Sequence, residues 1–193
     1  MTDSARDLVT RQFAWSGGHA DVWAVFRDAA ALGAVVGALV EPFRDAGVTA
    51  VCGVESRGFL LGGAAAVALG VGFVAVRKGE ALFPGPKAER RTAPDYRGRQ
   101  HVLRLQRAAL APGDRVLLVD DWIETGSQAA AVRALAAGCG AGWAGCSVVV
   151  DQLPPAGHAA LGPVRSILTA AELPPDGTLH GRRPPPVRRP GRP

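Results

Sequence analysis

The sequence predicts an α/β fold: an open, mainly parallel sheet flanked by helices, with a flexible lid loop. Three observations point there. Short β-branched and nearly uncharged runs, such as residues 48–54 and 116–119, read as strands buried on both faces. These runs alternate with segments of helical period, which implies βαβ units and right-handed crossovers. Polar turns follow the apolar strands directly, and open sheets of this kind bind ligands beyond the carboxyl ends of their strands.

Over residues 28–45 the apolar positions Leu32, Val35, Val36, Leu39, Val40 and Phe43 recur at three- and four-residue steps, an amphipathic helix closed by Gly47. Residues 48–54 are the first buried strand. The nineteen residues 58–76 carry no charge, yet Gly58, Gly62, Gly63, Gly70 and Gly72 punctuate them. They read as a buried helix over 58–69 and a strand over 73–76, not as a membrane span. Residues 77–100 lack apolar periodicity and are crowded with Gly, Pro and charge, including Phe83-Pro84-Gly85-Pro86-Lys87. A loop this long in a compact domain is a functional lid or disordered, and we place the lid at 79–100. Residues 102–105 are a short returning strand. Pro112-Gly113-Asp114 turns the chain into a strand over 115–121 that ends in paired carboxylates. The next helix starts near Ser127, carries Ala130, Val132, Leu135 and Ala136, and stops at Gly138. Strands over 145–150 and 164–168 complete the set.

With 193 residues, 48% of them hydrophobic, the chain holds enough apolar surface for one domain, expected over 1–173. Residues 174–193 are rich in Pro and Arg and read as a disordered or polyproline-like tail. The formal charge of +5 comes from that tail: Arg182, Arg183, Arg188, Arg189 and Arg192 account for the whole excess of basic over acidic residues. The folded part is neutral, so a nucleic-acid partner is not expected, because that footprint is a basic stripe on a folded face. Cys52, Cys139 and Cys146 lie in apolar surroundings, as reduced buried thiols do, and the first twenty residues lack the apolar core of a signal peptide. A cytoplasmic location is expected, with no membrane partner. His19, His101, His158 and His180 show no ligand spacing, and no zinc site is assigned.

The segment most specific for chemistry runs from Val119 through Asp120-Asp121-Trp122-Ile123-Glu124-Thr125-Gly126-Ser127 to Gln128. An apolar strand, two acids, and a glycine-bearing polar turn that opens a helix make an anion cradle of backbone N–H groups and hydroxyls. That suits a phosphate. The carboxylates would repel the phosphate itself but suit the vicinal hydroxyls of a sugar, or a bridging Mg²⁺. Both together suggest a ribose 5-phosphate. The competing reading is a plain strand end and helix cap. Trp122 could stack on a base or serve the core.

These residues resemble the phosphoribosyl-diphosphate-binding motif of the type I phosphoribosyltransferases. Val54-Glu55-Ser56-Arg57-Gly58-Phe59-Leu60, Val76-Arg77-Lys78 and, upstream, Val25-Phe26-Arg27-Asp28 look like the further motifs of the adenine phosphoribosyltransferase family, in the same order. The resemblance covers about residues 20–150. It implies transfer of ribose 5-phosphate from 5-phosphoribosyl-1-diphosphate to a purine, most closely adenine, giving a nucleoside 5′-monophosphate and diphosphate with Mg²⁺. By resemblance, Asp120 and Asp121 hold the ribose hydroxyls and, through the substrate, the metal. Glu124, Thr125, Gly126, Ser127 and Gln128 wrap the 5-phosphate. Ser56, Arg57, Arg77 and Lys78 face the diphosphate, with Lys87 as a substitute for a family lysine missing near Ala81. Val25, Phe26 and Arg27 are base-side, and a homodimer is implied.

The chemistry needs these cations. A helix N-terminus contributes about 0.3 to 2 kcal/mol to an anion, whereas micromolar binding requires about 8 kcal/mol. Displacing diphosphate from ribose C1 by a purine nitrogen builds positive charge on the sugar and negative charge on the leaving group, so basic residues and a closing lid are expected. The chain departs from the family pattern at Trp122, Glu124, Ser127 and Gln128, where small residues and a Gly-Thr pair are usual. In the lid, Asp95-Tyr96 stands nearest to the family's proton-handling Glu-Tyr pair, with Arg97 inserted before Gly98, and Arg104 replaces a second acid. Asp95, Tyr96 and Arg57 are therefore the catalytic candidates. Two alternatives stay open: another base acceptor, or a regulator that binds phosphoribosyl diphosphate without turnover.

Overall fold

The computed structural model describes residues 3–17, 19–79, 84–95 and 98–174. The expected tail from residue 175 onward, Tyr96 and Arg97 lie outside the described residues. The chain opens with α1 (Ala5–Gln12), whose start is fixed by a reciprocal cap: Ser4 Oγ accepts from Asp7 N–H while the Asp7 carboxylate accepts from Ser4 N–H. An antiparallel hairpin follows, β1 (Ala14–Ser16) and β2 (His19–Asp21), then α2 (Trp23–Arg27) and α3 (Ala29–Val40). Asp28 caps α3 by accepting the Ala31 N–H at 2.8 Å. The helix expected over 28–45 ends at Val40 as an α-helix, because Pro42 has no N–H to continue the ladder, and residues Glu41–Phe43 tighten into a 3₁₀ turn.

The remaining elements are β3 (Ala50–Val54), α4 (Arg57–Leu69), β4 (Gly72–Lys78), β5 (Lys87–Arg91), β6 (Val102–Gln106), β7 (Arg115–Ile123), α5 (Ser127–Gly138), β8 (Gly142–Asp151), α6 (Pro155–Leu161) and β9 (Val164–Thr169). They form a seven-stranded sheet in the order β5-β6-β4-β3-β7-β8-β9. Strands β4, β3, β7, β8 and β9 are mutually parallel, and β6 and β5 add an antiparallel edge. The expected open, mainly parallel sheet is what forms.

One part of the lid expectation is corrected. Residues 87–91 are not loop but the edge strand β5, paired antiparallel with β6 from Lys87 opposite Gln106 to Arg91 opposite Val102. Only Ala88 of the five is buried, so the strand carries none of the apolar alternation that identifies one. Its charges suit an exposed edge, and Arg104 Nε meets Glu89 Oε1 across the pair at 2.6 Å.

Alternate strand residues supply two cores. On one face Cys52, Leu118 and Val148 pack with Val132, Leu135 and Ala136 of α5. On the other, Val51, Leu117 and Val149 pack with Val35 and Leu39 of α3 and Leu61 and Ala65 of α4. Each fully buried Leu contributes about 1.5–3 kcal/mol, so this sandwich fixes the strand ends against one another. The contact of α4 with β3 is especially close. A Cβ added at Gly53 would fall 2.0 Å from the Gly58 carbonyl oxygen, so only glycine lets the first turn of α4 lie on the strand. No helix among the described residues is long and apolar enough to cross a membrane.

Candidate active site

The carboxyl ends of β3, β4 and β7 meet at one cleft of about 530 Å³. Its first wall is the turn from β7 into α5. There Gly126 adopts φ +75°, which reverses the chain into the helix, and its Cα packs so tightly that a Cβ would lie 3.0 Å from Leu153. Ser127 N–H is directed to Thr125 Oγ1 at 3.3 Å, and Thr125 Oγ1 donates to Ser127 Oγ at 3.1 Å. No side chain of the preceding cap residue closes the N-terminus of α5. Glu124, Thr125, Gly126, Ser127 and Gln128 all line the cleft, as expected for a phosphate turn.

Below the turn lie Asp120 and Asp121. Arg57 Nη1 stands 3.0 Å from Asp121 Oδ2, close enough for an ion pair. The approach is not aligned as a hydrogen bond, so this buried oxygen keeps acceptor capacity unused by the protein. Asp120 is half-buried by surface area, yet protein crowds its carboxyl group; burial first, then the neighbouring charge of Asp121, push its pKa well above the ordinary carboxylate range. The positive charge of Lys78 opposes that shift. Two adjacent carboxylates with an unsatisfied oxygen suit donors from outside: sugar hydroxyls, or a divalent cation such as Mg²⁺.

The second wall is Glu55, Ser56 and Arg57, on the turn from β3 into α4, with Lys78 at the end of β4. Glu55 organises it. Burial would raise the Glu55 pKa, but hydrogen bonds from the Arg77 guanidinium and the Lys78 N–H outweigh burial and hold it below the ordinary value. Arg77 thus pairs with Glu55 at 3.4 Å and does not itself line the cleft. Lys87, at the start of β5, does not line it either.

Asp95 reaches the cleft from the loop after β5. A tight turn holds it: Asp95 Oδ1 accepts the Arg99 N–H at 2.8 Å and its carbonyl accepts the Gly98 N–H at 2.8 Å. Oδ2 lies 3.5 Å from Arg99 Nε and 3.8 Å from His101 Nε2.

The third wall is Trp15, His19 and Ala20 of the β1–β2 hairpin, with Trp122 and Gln152; of these the sequence offered Trp122 alone, for a base or for the core, and the other four were missed. Val25 and Phe26 are buried, Arg27 is exposed, and none of the three lines the cleft. Val25 and Phe26 belong to the hydrophobic cluster on which Trp15, Trp122 and Ala20 pack, so they back this wall from inside. The signal that could have found it is the density of aromatics in a short segment, Phe13, Trp15 and Trp23.

This arrangement has clear relatives. An adenine phosphoribosyltransferase from Nocardioides sp. is 41% identical over 155 residues, which span 77% of this chain and 82% of that protein. One from Renibacterium salmoninarum is 44% identical over 141 residues, spanning 73% and 75%. The chain belongs to the adenine phosphoribosyltransferase family. Among solved structures, the adenine phosphoribosyltransferase of Rhodothermus marinus matches with a TM-score of 0.73 and 30% identity, covering 86% of this chain and 98% of that one. The Saccharomyces cerevisiae enzyme, solved with an imino-altritol bisphosphate and adenine, matches with a TM-score of 0.74 and 29% identity over 85% and 98%. No protein-family model matches the chain.

Proposed function

We propose that the chain is a phosphoribosyltransferase that joins adenine to the ribose 5-phosphate of 5-phosphoribosyl-1-diphosphate, giving AMP and diphosphate in purine salvage. The observation that carries this is the meeting, in one cleft, of a phosphate turn, a carboxylate pair and a cationic wall. In this reading residues Glu124 to Gln128 hold the 5-phosphate, and Asp120 and Asp121 accept hydrogen bonds from the ribose hydroxyls. Ser56, Arg57 and Lys78 face the diphosphate, with Arg77 acting through Glu55, while Lys87 stands on the edge strand β5 outside the cleft wall.

The bond from ribose C1 to the diphosphate oxygen breaks, and diphosphate leaves with the electron pair. A bond forms from C1 to the purine nitrogen, whose proton passes to the Asp95 carboxylate. Arg57 and Lys78 are placed to stabilise charge that grows on the leaving group, and such fixed charges act most strongly in a water-poor site. Tyr96 is the lid partner of Asp95 in this scheme. The carboxylate pair fits Mg²⁺ held through the substrate, and the ion supplies charge neutralisation to the diphosphate when bound. Val25, Phe26 and Arg27 stay on the base side, the first two through the wall they back.

A homodimer in the cytoplasm fits the same reading. Trp23, Leu60 and Val67 are 54%, 38% and 82% exposed, apolar surface that a second copy would cover, and the three cysteines are free and buried as in a reducing compartment. Light scattering of the purified protein checks the dimer. The acceptor is tested by incubating the protein with Mg²⁺, 5-phosphoribosyl-1-diphosphate and, separately, adenine, hypoxanthine, guanine, xanthine, uracil and orotate. Nucleotide formation with adenine is expected; turnover confined to another base, or binding without turnover, overturns the reading.

A further inference from the structure

We propose that the arginine-rich C-terminal segment, residues 175–193, serves the cleft itself, drawing the polyanionic 5-phosphoribosyl-1-diphosphate to its mouth. This rests on that compound being the substrate. Among the described residues, the side chains that line the cleft include two cations, Arg57 and Lys78, against five carboxyl groups, Glu55, Asp95, Asp120, Asp121 and Glu124. Arg57 already stands 3.0 Å from Asp121, and Arg77 and Lys87 do not line the cleft. An acid-rich wall thus has to receive a ligand that is anionic at both ends. The chain does hold further cations, and they are gathered at its C-terminus. Arg182, Arg183, Arg188, Arg189 and Arg192 stand there with no carboxylate among them, beside a folded body that is neutral.

The place where this segment starts is fixed. Thr169 and Glu172 cap the last 3₁₀ turn, Ala170–Glu172, reciprocally, and Arg6 pairs with Glu172. Leu173 is buried in the hydrophobic cluster on which Trp15 and Trp122 pack. The Pro174 carbonyl then accepts the Trp15 Nε1–H at 2.6 Å, across 159 residues of sequence, and Trp15 lines the cleft. Residue 175 therefore leaves from the cleft wall. Arg182 lies eight residues beyond Pro174, a reach of at most about 28 Å. Groups tethered within such a span have an effective concentration in the millimolar range without any fixed contact. Guanidinium groups suit phosphate, and electrostatic steering of a charged ligand raises association rates by about 10- to 10³-fold. Adenine is neutral, so the effect is confined to one of the two substrates.

The test uses the full-length protein with all five arginines changed to glutamine (Arg182→Gln, Arg183→Gln, Arg188→Gln, Arg189→Gln and Arg192→Gln), beside one with the same five changed to lysine. Both are compared with wild type by steady-state kinetics over a range of salt. The glutamine variant is expected to lose about 10-fold in kcat/KM for 5-phosphoribosyl-1-diphosphate at low salt, through KM, with kcat and the KM for adenine within about twofold. The lysine variant keeps wild-type values within about twofold, because charge acts at a distance where the shape of the group does not. Near 1 M salt, where the screening length is about 3 Å, the glutamine variant and wild type converge. Equal KM values for 5-phosphoribosyl-1-diphosphate at low salt, or a difference that survives 1 M salt, overturn the proposal. Binding of duplex DNA through the five arginines, with those KM values still equal, overturns it as well. Calorimetry separates this proposal from the functional reading. A wild type that fails to bind 5-phosphoribosyl-1-diphosphate overturns that reading, whereas equal affinity in wild type and glutamine variant at low salt overturns only the role of the C-terminal segment.

Discussion

Gly53 is where fold and site are most tightly joined, and replacing it by alanine tests that link. The added Cβ would sit 2.0 Å from the Gly58 carbonyl oxygen and 2.6 Å from its carbon, both main-chain atoms of the first turn of α4. No side-chain rotation relieves that contact. Restoring ordinary separation requires the start of α4 to withdraw from β3 by on the order of 1.5 Å, judged against a normal non-bonded contact of about 3.5 Å. Arg57 opens α4, so it moves with the turn and its 3.0 Å approach to Asp121 is lost. Overpacking of this kind costs about 1–3 kcal/mol, and misplacing a positioning group by about 1 Å costs on the order of 10²-fold in rate. Gly53→Ala is thus expected to lower stability by about 1–3 kcal/mol in urea unfolding and kcat/KM for 5-phosphoribosyl-1-diphosphate by on the order of 10²-fold. Gly63→Ala is the control, because its Cβ meets nothing within 4 Å on the same helix. It is expected to be neutral or stabilising by about 0.5–1 kcal/mol. A Gly53→Ala protein as stable and active as wild type refutes the claim that this close approach sets the position of Arg57.

Further outcomes follow from other contacts. Asp121→Asn removes a charged acceptor and is expected to weaken phosphoribosyl diphosphate binding by roughly 10- to 150-fold in calorimetry, the range for hydrogen bonds to charged groups. Asp114 accepts the Ala111 N–H at 2.7 Å and the Thr49 hydroxyl at 2.8 Å, and these bonds, in that order, hold its pKa below the ordinary value of 3.8. Its contribution is present above that ordinary value and lost as pH falls through the lower folded value. Asp114→Ala is therefore expected to cost about 1 kcal/mol at pH 7, with the gap to wild type narrowing in acid unfolding curves as pH falls below the ordinary value of 3.8. Burial pushes the thiols of Cys52 and Cys146 up to about 12, so thiol reagents are expected to leave both unlabelled until the protein is unfolded, as mass spectrometry would show.

The parallel core was legible because its strands are short, β-branched and separated by helices whose period shows in Leu32, Val35, Leu39 and in Val132, Leu135, Ala136. The turn after β7 was legible as a candidate for a similar reason: two acids and a glycine directly after an apolar strand mark it, and residues 124–128 line the cleft. Of the aromatic wall, only Trp122 was legible. Strands β1 and β2 are three residues each, too short for a period, and Trp15 is placed by a hydrogen bond to Pro174 that no local pattern announces. Strand β5 was hidden by its charges, since an exposed edge needs no apolar face. Asp95 was read as a catalytic candidate in the lid, but its capture by Arg99 N–H depends on a turn that residue types alone do not specify. Arg77 and Lys78, adjacent in sequence, divide their tasks because a strand sends successive side chains to opposite faces. Only Lys78 lines the cleft.

The central claim is that this cleft performs the transfer, and the most direct measurement is the initial rate of AMP formation from adenine and 5-phosphoribosyl-1-diphosphate in wild type and in the Asp120→Asn/Asp121→Asn double variant. The account predicts turnover with equimolar diphosphate in wild type. In a double variant that keeps native circular dichroism, it predicts loss of both turnover and phosphoribosyl diphosphate binding. Equal rates in the two proteins would contradict it.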